Sequence, residues 1–474
     1  MSDAPNLQAN PLDALRAASA HLEAASEAAA VQAGLAQLLE TAHDAARRVK
    51  ALGADEARVS ISRSRGVDLE WRDGRIERVQ ERSQRGLSVE VFVAGRYAAS
   101  STNDLRPAAL ERFLAEAVAN ARLLEPDPHR RLPDPTRYAG RRDLDLDLWD
   151  PLHGQLSPEQ RRHDAAHLEA LLQARIGDLP VVSMTTDVSD SFGQSARVHT
   201  NGFEGARTGT SFSISAAITA KEADGRRPMG WDYTGRRHRS DLASLESLAD
   251  TAVARTRNQL GAGKLRTGRY TVVVENRATR KLLGTLLGPL SGPALQQKQS
   301  LWDGRLGTAI ASPLLTVHDD PFVVRGQGSS LWDSDGFATR QRPLIEKGVL
   351  QTFLIDDYYA RKMGVEPTGG DTFNYTWALG DRDLAGLVAD VGEGVLIDRF
   401  LGGNSNSTTG EFSFGCGGRI IRNGQLAEPV TEVNIAGHIG TLWESLVAVG
   451  ADPDPNSAGR APSVVFADVQ LSGI

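Results

Sequence analysis

The sequence predicts an α+β protein, with N-terminal α+β domains followed by a β-rich C-terminal domain that holds a few helices. Three observations carry this. Between Leu35 and Val93 the apolar spacing changes from helical (Leu35, Leu38, Leu39, Ala42, Ala46, Val49) to alternating (Leu87, Val89, Val91, Val93). A second succession of helix, strands and helix runs from Ser157 to Leu260. From Lys264 onward the chain is glycine-rich, and short β-branched runs dominate. At 474 residues it is long enough for two or three domains with cores of their own.

Residues 1–34 read as an alanine-rich extension, helical or frayed, with Leu12, Leu15 and Leu22 scattered along it. The first domain spans 35–130. Its opening amphipathic helix, Leu35 to Leu52, is stopped by Gly53. Strands follow at Arg58–Ser62, around Val67, Leu69 and Trp71, around Ile76 and Val79, and at Leu87–Val93. Asp73-Gly74 marks a two-residue hairpin turn, because such turns need positive φ at both central positions. Asp104 is the candidate N-cap of a helix whose core face is Leu110, Phe113, Leu114, Ala117, Val118 and Ala121.

Pro126, Pro128, Pro133 and Pro135, set among charges, make a linker. The middle domain, 131–262, opens with Ser157-Pro-Glu-Gln160, which supplies an N-cap, an N1 proline and a capping-box glutamine for a helix to about Ile176. Strands are expected at Val181–Val188, Ala196–Thr200 and Thr208–Ala220, with Asn201-Gly202 turning between the last two. A helix from Leu242 to Leu260 ends at Gly261-Ala-Gly263.

The third domain spans 263–474. Tyr270–Val274 is a buried strand, and Ala278–Leu287 a helix with Leu282, Leu283, Leu286 and Leu287 on one stripe. Gly288, Pro289 and Gly292 end it. Asn423-Gly424 marks another hairpin, and Leu442, Leu446 and Val449 a helix after it.

Composition narrows the function. A net charge of −7 argues against a protein held on nucleic acid by phosphate contacts. No apolar run reaches the ~18 residues of a transmembrane helix, and Met1-Ser-Asp-Ala-Pro-Asn6 lacks the features of a signal peptide. The single cysteine, Cys416, excludes an intramolecular disulfide and suits a reducing cytoplasm, where the chain is expected.

Several phrases in order carry a family resemblance: the strand–helix unit Gly268–Gly292, Asp335-Gly336-Phe-Ala-Thr-Arg340, Leu344–Leu350, Tyr358–Gly364, Thr409–Gly415, Ile421–Gly424 and Pro429–Gly437. From about residue 38 to the end the chain resembles the TldD/PmbA metallopeptidases, also called modulators of DNA gyrase. In the catalytic TldD-type subunits the corresponding helix carries HExxxH. Here that place reads Thr285-Leu286-Leu-Gly-Pro-Leu290, and no histidine occurs between His238 and His318. The family's third zinc ligand is a cysteine near the C-terminus, where this chain has Asn456–Ser463 without one. The resemblance is therefore to the TldE (PmbA) type, with no catalytic residue, metal ligand or cofactor expected in this chain.

It implies a heterodimer with a zinc-bearing TldD-like homologue, acting on unfolded or small peptides and maturing precursors of modified peptide antibiotics. This chain would form part of the enclosed substrate cavity and of the subunit interface. Asp335 and Gly336 are candidate cavity residues by resemblance, with Asn374, Asn404 and Gly410 similar candidates in glycine-rich loops. Two other classes stay open: a homodimeric peptide-binding or regulatory module, and an independent hydrolase using Cys416 or an acidic cation site.

The residues themselves set each candidate beside a plainer account. His163 and His167 share a helix face and imitate a zinc motif, yet they project away from the stripe of Ala165, Leu168 and Leu172, as a solvated flank does. Cys416 lies among glycines that admit substrate, but a lone cysteine in a β-rich core is more often apolar filler. His318-Asp319-Asp320-Pro321 and Trp332-Asp-Ser-Asp335 offer oxygen ligands for a cation, and turn chemistry explains both equally well. Gly230–Gly235 with Arg236, Arg237, His238 and Arg239 is a basic-aromatic patch able to clamp a carboxylate; its plainer account is a solvated loop before a helix.

Overall fold

The computed structural model describes residues 11–473, with side chains from position 26 onward; Leu12, Leu15 and Leu22 of the extension lie outside the described side chains. α1 (Pro11–Ala51) is one unbroken helix, so the backbone of the extension from position 11 runs directly into the predicted first helix. Its buried stripe is Val31, Leu38, Ala42, Ala45, Ala46 and Val49.

β1 (Glu56–Arg72) and β2 (Arg75–Val93) form a long hairpin. Its turn residues Asp73 and Gly74 have φ of 48° and 81°, the two positive values of a type I′ turn. The short strands read around Val59, Leu69 and Val89 are parts of these two. β3 (Arg96–Thr102) pairs with β2 only as far back as Leu87. From Arg75 to Gly86 the outer edge of β2 has no strand partner among the described residues.

α2 (Pro107–Ala121) buries the predicted face, but Asp104 does not cap it. Arg106 occupies the N-cap position, because Pro107 with its preset φ starts the helix there. Asp104 instead accepts from the Arg106 backbone N–H at 3.2 Å and its Nε at 2.8 Å, a local turn. α3 (Pro158–Arg175) has the predicted capping box: Ser157 Oγ accepts from Gln160 N, and Gln160 Oε1 from Ser157 N.

β4 (Val181–His199), β5 (Glu204–Ala220) and β6 (Met229–Arg236) follow, then α4 (Leu245–Arg257). β6 corrects the solvated-loop expectation for the patch at 230–239. Gly230, Asp232 and Thr234 alternate inward, and the segment pairs with β5 from Thr219↔Met229 to Phe212↔Arg236.

These six strands make one antiparallel sheet in the order β3-β2-β1-β4-β5-β6, running through both the first and the middle segments. One face carries the pairs Val59/Val198, Ile61/Ala196 and Leu69/Val188. All four helices cover that face, α1 and α2 toward one end, α3 and α4 toward the other. By the two-residue period of a strand, the opposite face presents Ser60, Ser62, Ser64 and Gly66 beside Arg197, Ser195, Gly193 and Ser191.

The last segment begins with β7 (Gly268–Val274), α5 (Asn276–Leu287) and α6 (Gly292–Gln296). Next come β8 (Val317–Asp320), β9 (Arg342–Glu346), β10 (Val349–Leu350), α7 (Asp357–Met363) and β11 (Asn374–Trp377). α8 (Leu384–Val391), β12 (Gly394–Ser405), β13 (Glu411–Arg422), β14 (Gln425–His438), α9 (Ile439–Glu444), β15 (Leu446–Val449) and β16 (Val464–Ser472) complete it. Leu446 and Val449, read from sequence as helical, pair with Phe466 and Val464 of β16; strand pairing wins over the helical spacing.

The larger sheet runs β14-β13-β12-β7-β16-β15, and a further β14–β16 pairing closes five of its strands on themselves. Val272 and Val274 of β7 point into the main core with α5, while Val273 points out to Leu387 and Val388 of α8. β10-β9-β8-β11 form a small separate sheet. Among the described residues no helix is long and apolar enough to cross a membrane.

Candidate functional site

Two concave regions concern function, and the strand–helix unit β7–α5 builds the first. The backbone C=O of Glu275 accepts from Ala278 N (2.9 Å) and Thr279 N (2.8 Å), starting the helix directly off the strand. Leu282, Leu283, Leu286 and Leu287 face the core. Arg277, Arg280, Lys281, Gly284, Thr285 and Gly288 face a cleft of about 530 Å³, closed by Ser405–Ser407, Gly410 and Ile439. Nothing lies within 4 Å of where a Cβ at Gly284 or Gly288 would project, so small residues keep the cleft open there.

The residues that stand in place of the zinc motif divide by environment. Thr285 lines the cleft, with Oγ1 donating to Leu282 O at 2.6 Å. Leu286 and Leu290 are wholly buried, under Trp302, whose Nε1 donates to Leu286 O at 2.9 Å. The 456–463 segment lies along the start of the same helix: Ser463 Oγ accepts from Asn276 N at 3.0 Å, and Gly459 approaches Arg280.

These residues do not fit a zinc ion. Three cationic side chains border the cleft, and among the described residues no group of three His, Cys, Asp or Glu could hold a metal. His163 and His167 are exposed, their rings 5.7 Å apart. Asp164 between them is buried and pairs with Arg239.

The second region lies on the helix-free face of the six-stranded sheet. A cavity of about 880 Å³ opens between that face and the last segment's loops 327–334 and 370–373. Strand register sets its floor: Ser62 faces Ser195, Ser195 faces Arg207, and Arg197 lies one step along. Both arginines approach the Trp332 ring, Arg197 at 5.3 Å and Arg207 at 5.1 Å from its centre. Asp333 and Asp371 are on the wall. Asp333 is buried, and desolvation, then the charge of Asp335, pushes its carboxyl up to about 7.

The candidate cavity residues divide between the two regions. Asp335 and Gly336 form the turn behind Asp333. Asp335 Oδ1 pairs with Arg58 at 3.1 Å, and Oδ2 accepts from Asp357 N. Gly336, at φ 87°, packs so closely on Phe203 that a Cβ would stand 2.7 Å from its ring. Asn374 is buried; its Oδ1 accepts from Gly328 N and its Nδ2 donates to Ser329 Oγ, so it holds the loop forming the cavity wall. Gly410 lines the α5 cleft instead, and Asn404 is exposed on β12.

The alternative chemistries meet specific obstacles. Cys416 is buried in the core, and desolvation pushes its thiol up to about 12, away from the thiolate that attacks. Asp319 is buried against Arg342 at 3.0 Å, and Asp320 accepts from Phe322 N and Gln341 Nε2, leaving their oxygens engaged.

Sequence reasoning passed over Arg197 and Arg207, which are ten positions apart and meet only through the β4–β5 register. The available signal was the alternation Ser189, Ser191, Gly193, Ser195, a strand face kept small and uncharged.

Three family models match: PmbA/TldA metallopeptidase domain 1 over residues 57–121, the central domain over 153–260 and the C-terminal domain over 267–473. The chain is 29% identical to "Metalloprotease PmbA" of Escherichia coli O157:H7, over 92% of this chain and 96% of the other. A crystal structure from Bacteroides thetaiotaomicron, titled as a candidate modulator of DNA gyrase, is 38% identical with a TM-score of 0.88 and covers 92% of this chain and 98% of its own. TldE from Thermococcus kodakarensis, at 21% identity and a TM-score of 0.80, covers 91% of this chain and 100% of its own and shares the fold.

Proposed function

The chain belongs to the PmbA/TldD metallopeptidase family, and from that premise we propose that it is a non-catalytic, TldE-like subunit of a cytoplasmic heterodimeric zinc metallopeptidase acting on unfolded small peptides. The observation that carries this reading is the fate of the α5 helix. Where a catalytic subunit needs two imidazoles and a carboxylate, this helix gives Leu286 to the core and Thr285 to a cleft edged with cations, and the turn that follows it buries Leu290. Zinc, which polarises the attacking water when bound, belongs to the partner. The contribution of this chain is wall and interface. The edge of β2 between Arg75 and Gly86, without a strand partner among the described residues, suits an extended peptide, since its backbone N–H and C=O groups can take an added strand.

The test is co-expression of this chain with the HExxxH-bearing homologue from the same organism, followed by mass, zinc content and peptide hydrolysis of the pair and of each chain alone. A one-to-one complex is expected, holding zinc and active, with activity abolished by changing the partner's motif glutamate. Peptide hydrolysis by this chain alone, abolished by chelation or by Cys416→Ala, would sink the reading in favour of an independent hydrolase.

A further inference from the structure

The cavity on the helix-free sheet face has a charge arrangement that the supporting-subunit reading does not need. Arg197, Arg207 and Arg237 all line it. Among the described residues none of the three is in an ion pair with a carboxylate. Arg197 donates to Ser60 Oγ at 3.0 Å and to Ser334 O at 2.6 Å. Arg207 donates to Ser195 Oγ at 3.2 Å. Arg237 donates to Thr210 O at 3.2 Å and Gln327 O at 2.6 Å, and its Nε is buried without any partner. Among the described residues arginine–carboxylate ion pairs are common elsewhere, many on the open surface, so this clustering of unpaired guanidinium groups in one concavity stands out.

Electrostatics agrees with the geometry. Arg58, just outside the cavity, is desolvated too, but Glu90 and Asp335 outweigh that and raise it above its ordinary value. Arg197, Arg207 and Arg237 go the other way: burial lowers all three, and the charge of Arg207 lowers Arg197 and Arg237 further. Asp371 is the counter-charge that acts on Arg207 against burial, and it is occupied by Ser334 N at 2.7 Å and Ser334 Oγ at 2.9 Å. The floor between the arginines is Ser62, Ser64, Ser195 and Gly209, small groups that leave room and offer hydroxyl donors.

We propose that this cavity is an oxyanion-binding site, taking a carboxylate of an acidic peptide segment or a phosphate group between Arg197, Arg207 and Arg237. The planar guanidinium forks match either group, and 880 Å³ lies within the range of ligand sites. The patch at Arg236–Arg239, read from sequence as able to clamp a carboxylate, contributes Arg237 to it. The site is independent of the heterodimer reading, and its test uses this chain by itself.

The full-length chain is titrated calorimetrically with a short Glu-rich peptide, with the same peptide carrying Gln for every Glu, and with inorganic phosphate. The Glu peptide or phosphate is expected to bind, with affinity falling as salt rises, and the Gln peptide to bind about tenfold more weakly or worse. Which of the first two binds identifies the source of the oxyanion. Arg207→Gln and Arg237→Gln are each expected to weaken binding about tenfold or more. Asp371→Asn keeps an oxygen for Ser334 N while removing the competing charge, and is expected to tighten binding, a gain that misfolding cannot imitate. Equal affinity for the Glu and Gln peptides, no binding of either anion, or unchanged binding in both arginine variants with an unchanged thermal transition would overturn the proposal.

Discussion

Replacing Asp333 by Asn should make the protein more stable at pH 8 and change its stability far less at pH 4. Asp333 is 6% exposed, and its Oδ1 accepts the backbone N–H groups of Asp335 (2.9 Å) and Phe337 (2.8 Å). Desolvation and then the neighbouring charge of Asp335 raise the carboxyl from 3.8 to about 7 in the folded state. Well below pH 4 both the folded and the unfolded chain hold this proton, and the site costs nothing. As pH rises from about 4 to 7 the unfolded chain releases the proton while the folded chain keeps it, so folding stability is lost across that window. Each pKa unit is worth about 1.4 kcal/mol, which sets a ceiling of about 4 kcal/mol by pH 8. Asparagine preserves the oxygen that both backbone donors use and never ionises. Urea unfolding of parent and variant at pH 4, 6 and 8 measures the difference; groups that titrate alike in both proteins cancel. An advantage for Asn that grows with pH is the expected result. A variant that is less stable at pH 8, or whose difference from the parent is the same at all three values, would refute the reasoning.

Other perturbations follow from the same packing. Leu286→Ala, at a site with no exposure, should lower stability by about 3–5 kcal/mol in denaturant titration. Its size would show that this place in α5 is core. Gly336→Ala combines a φ of 87° with a Cβ 2.7 Å from Phe203, and should lose about 1–3 kcal/mol together with a lower melting temperature. Cys416 should resist iodoacetamide in the native protein at pH 8 and react fully once unfolded, since its buried thiol is pushed up to about 12. Mass spectrometry of the alkylated protein reads this directly.

The elements legible in the sequence were those whose local signals agree with the fold. Asp73-Gly74 and Asn423-Gly424 turn where only positive φ serves, with φ of 48° and 81° and of 50° and 71°. Ser157 and Gln160 close their capping box within four residues. The middle of β1, Arg63-Ser-Arg-Gly66, was not legible as strand. It is polar on both faces, and it is held by ladders to its hairpin partner β2 and to β4, whose residues lie far away in the chain. Ser189–Ser195 of β4 is likewise mostly polar, with Phe192 its one large apolar residue, and its ladder to β1 joins positions more than a hundred residues apart. Candidate residues followed suit. Asp335 and Gly336 were singled out by the family resemblance of their Asp-Gly phrase, whereas Arg197 and Arg207 acquire a shared site only when β4 and β5 come into register. Leu446 and Val449 misled because a helical spacing of three also fits a short bulged strand, and the partner that decides between them is β16.

The joining of β1 to β4 also bears on how the chain is made. Arg58 pairs with His199 and Arg72 with Thr185, so partners are roughly 110 to 140 residues apart. At ribosomal rates that separation takes on the order of ten seconds to synthesise. During that interval the β1–β2 hairpin waits outside the tunnel with the inner edge of β1 open as well as the outer edge of β2. Such edges invite pairing with neighbouring nascent chains. Arg75, Glu77, Arg78, Glu81, Arg82 and Arg85 crowd β2 with charge over this very stretch, which burdens pairing with the same edge of a neighbouring chain, while the inner edge of β1 stays open until β4 arrives.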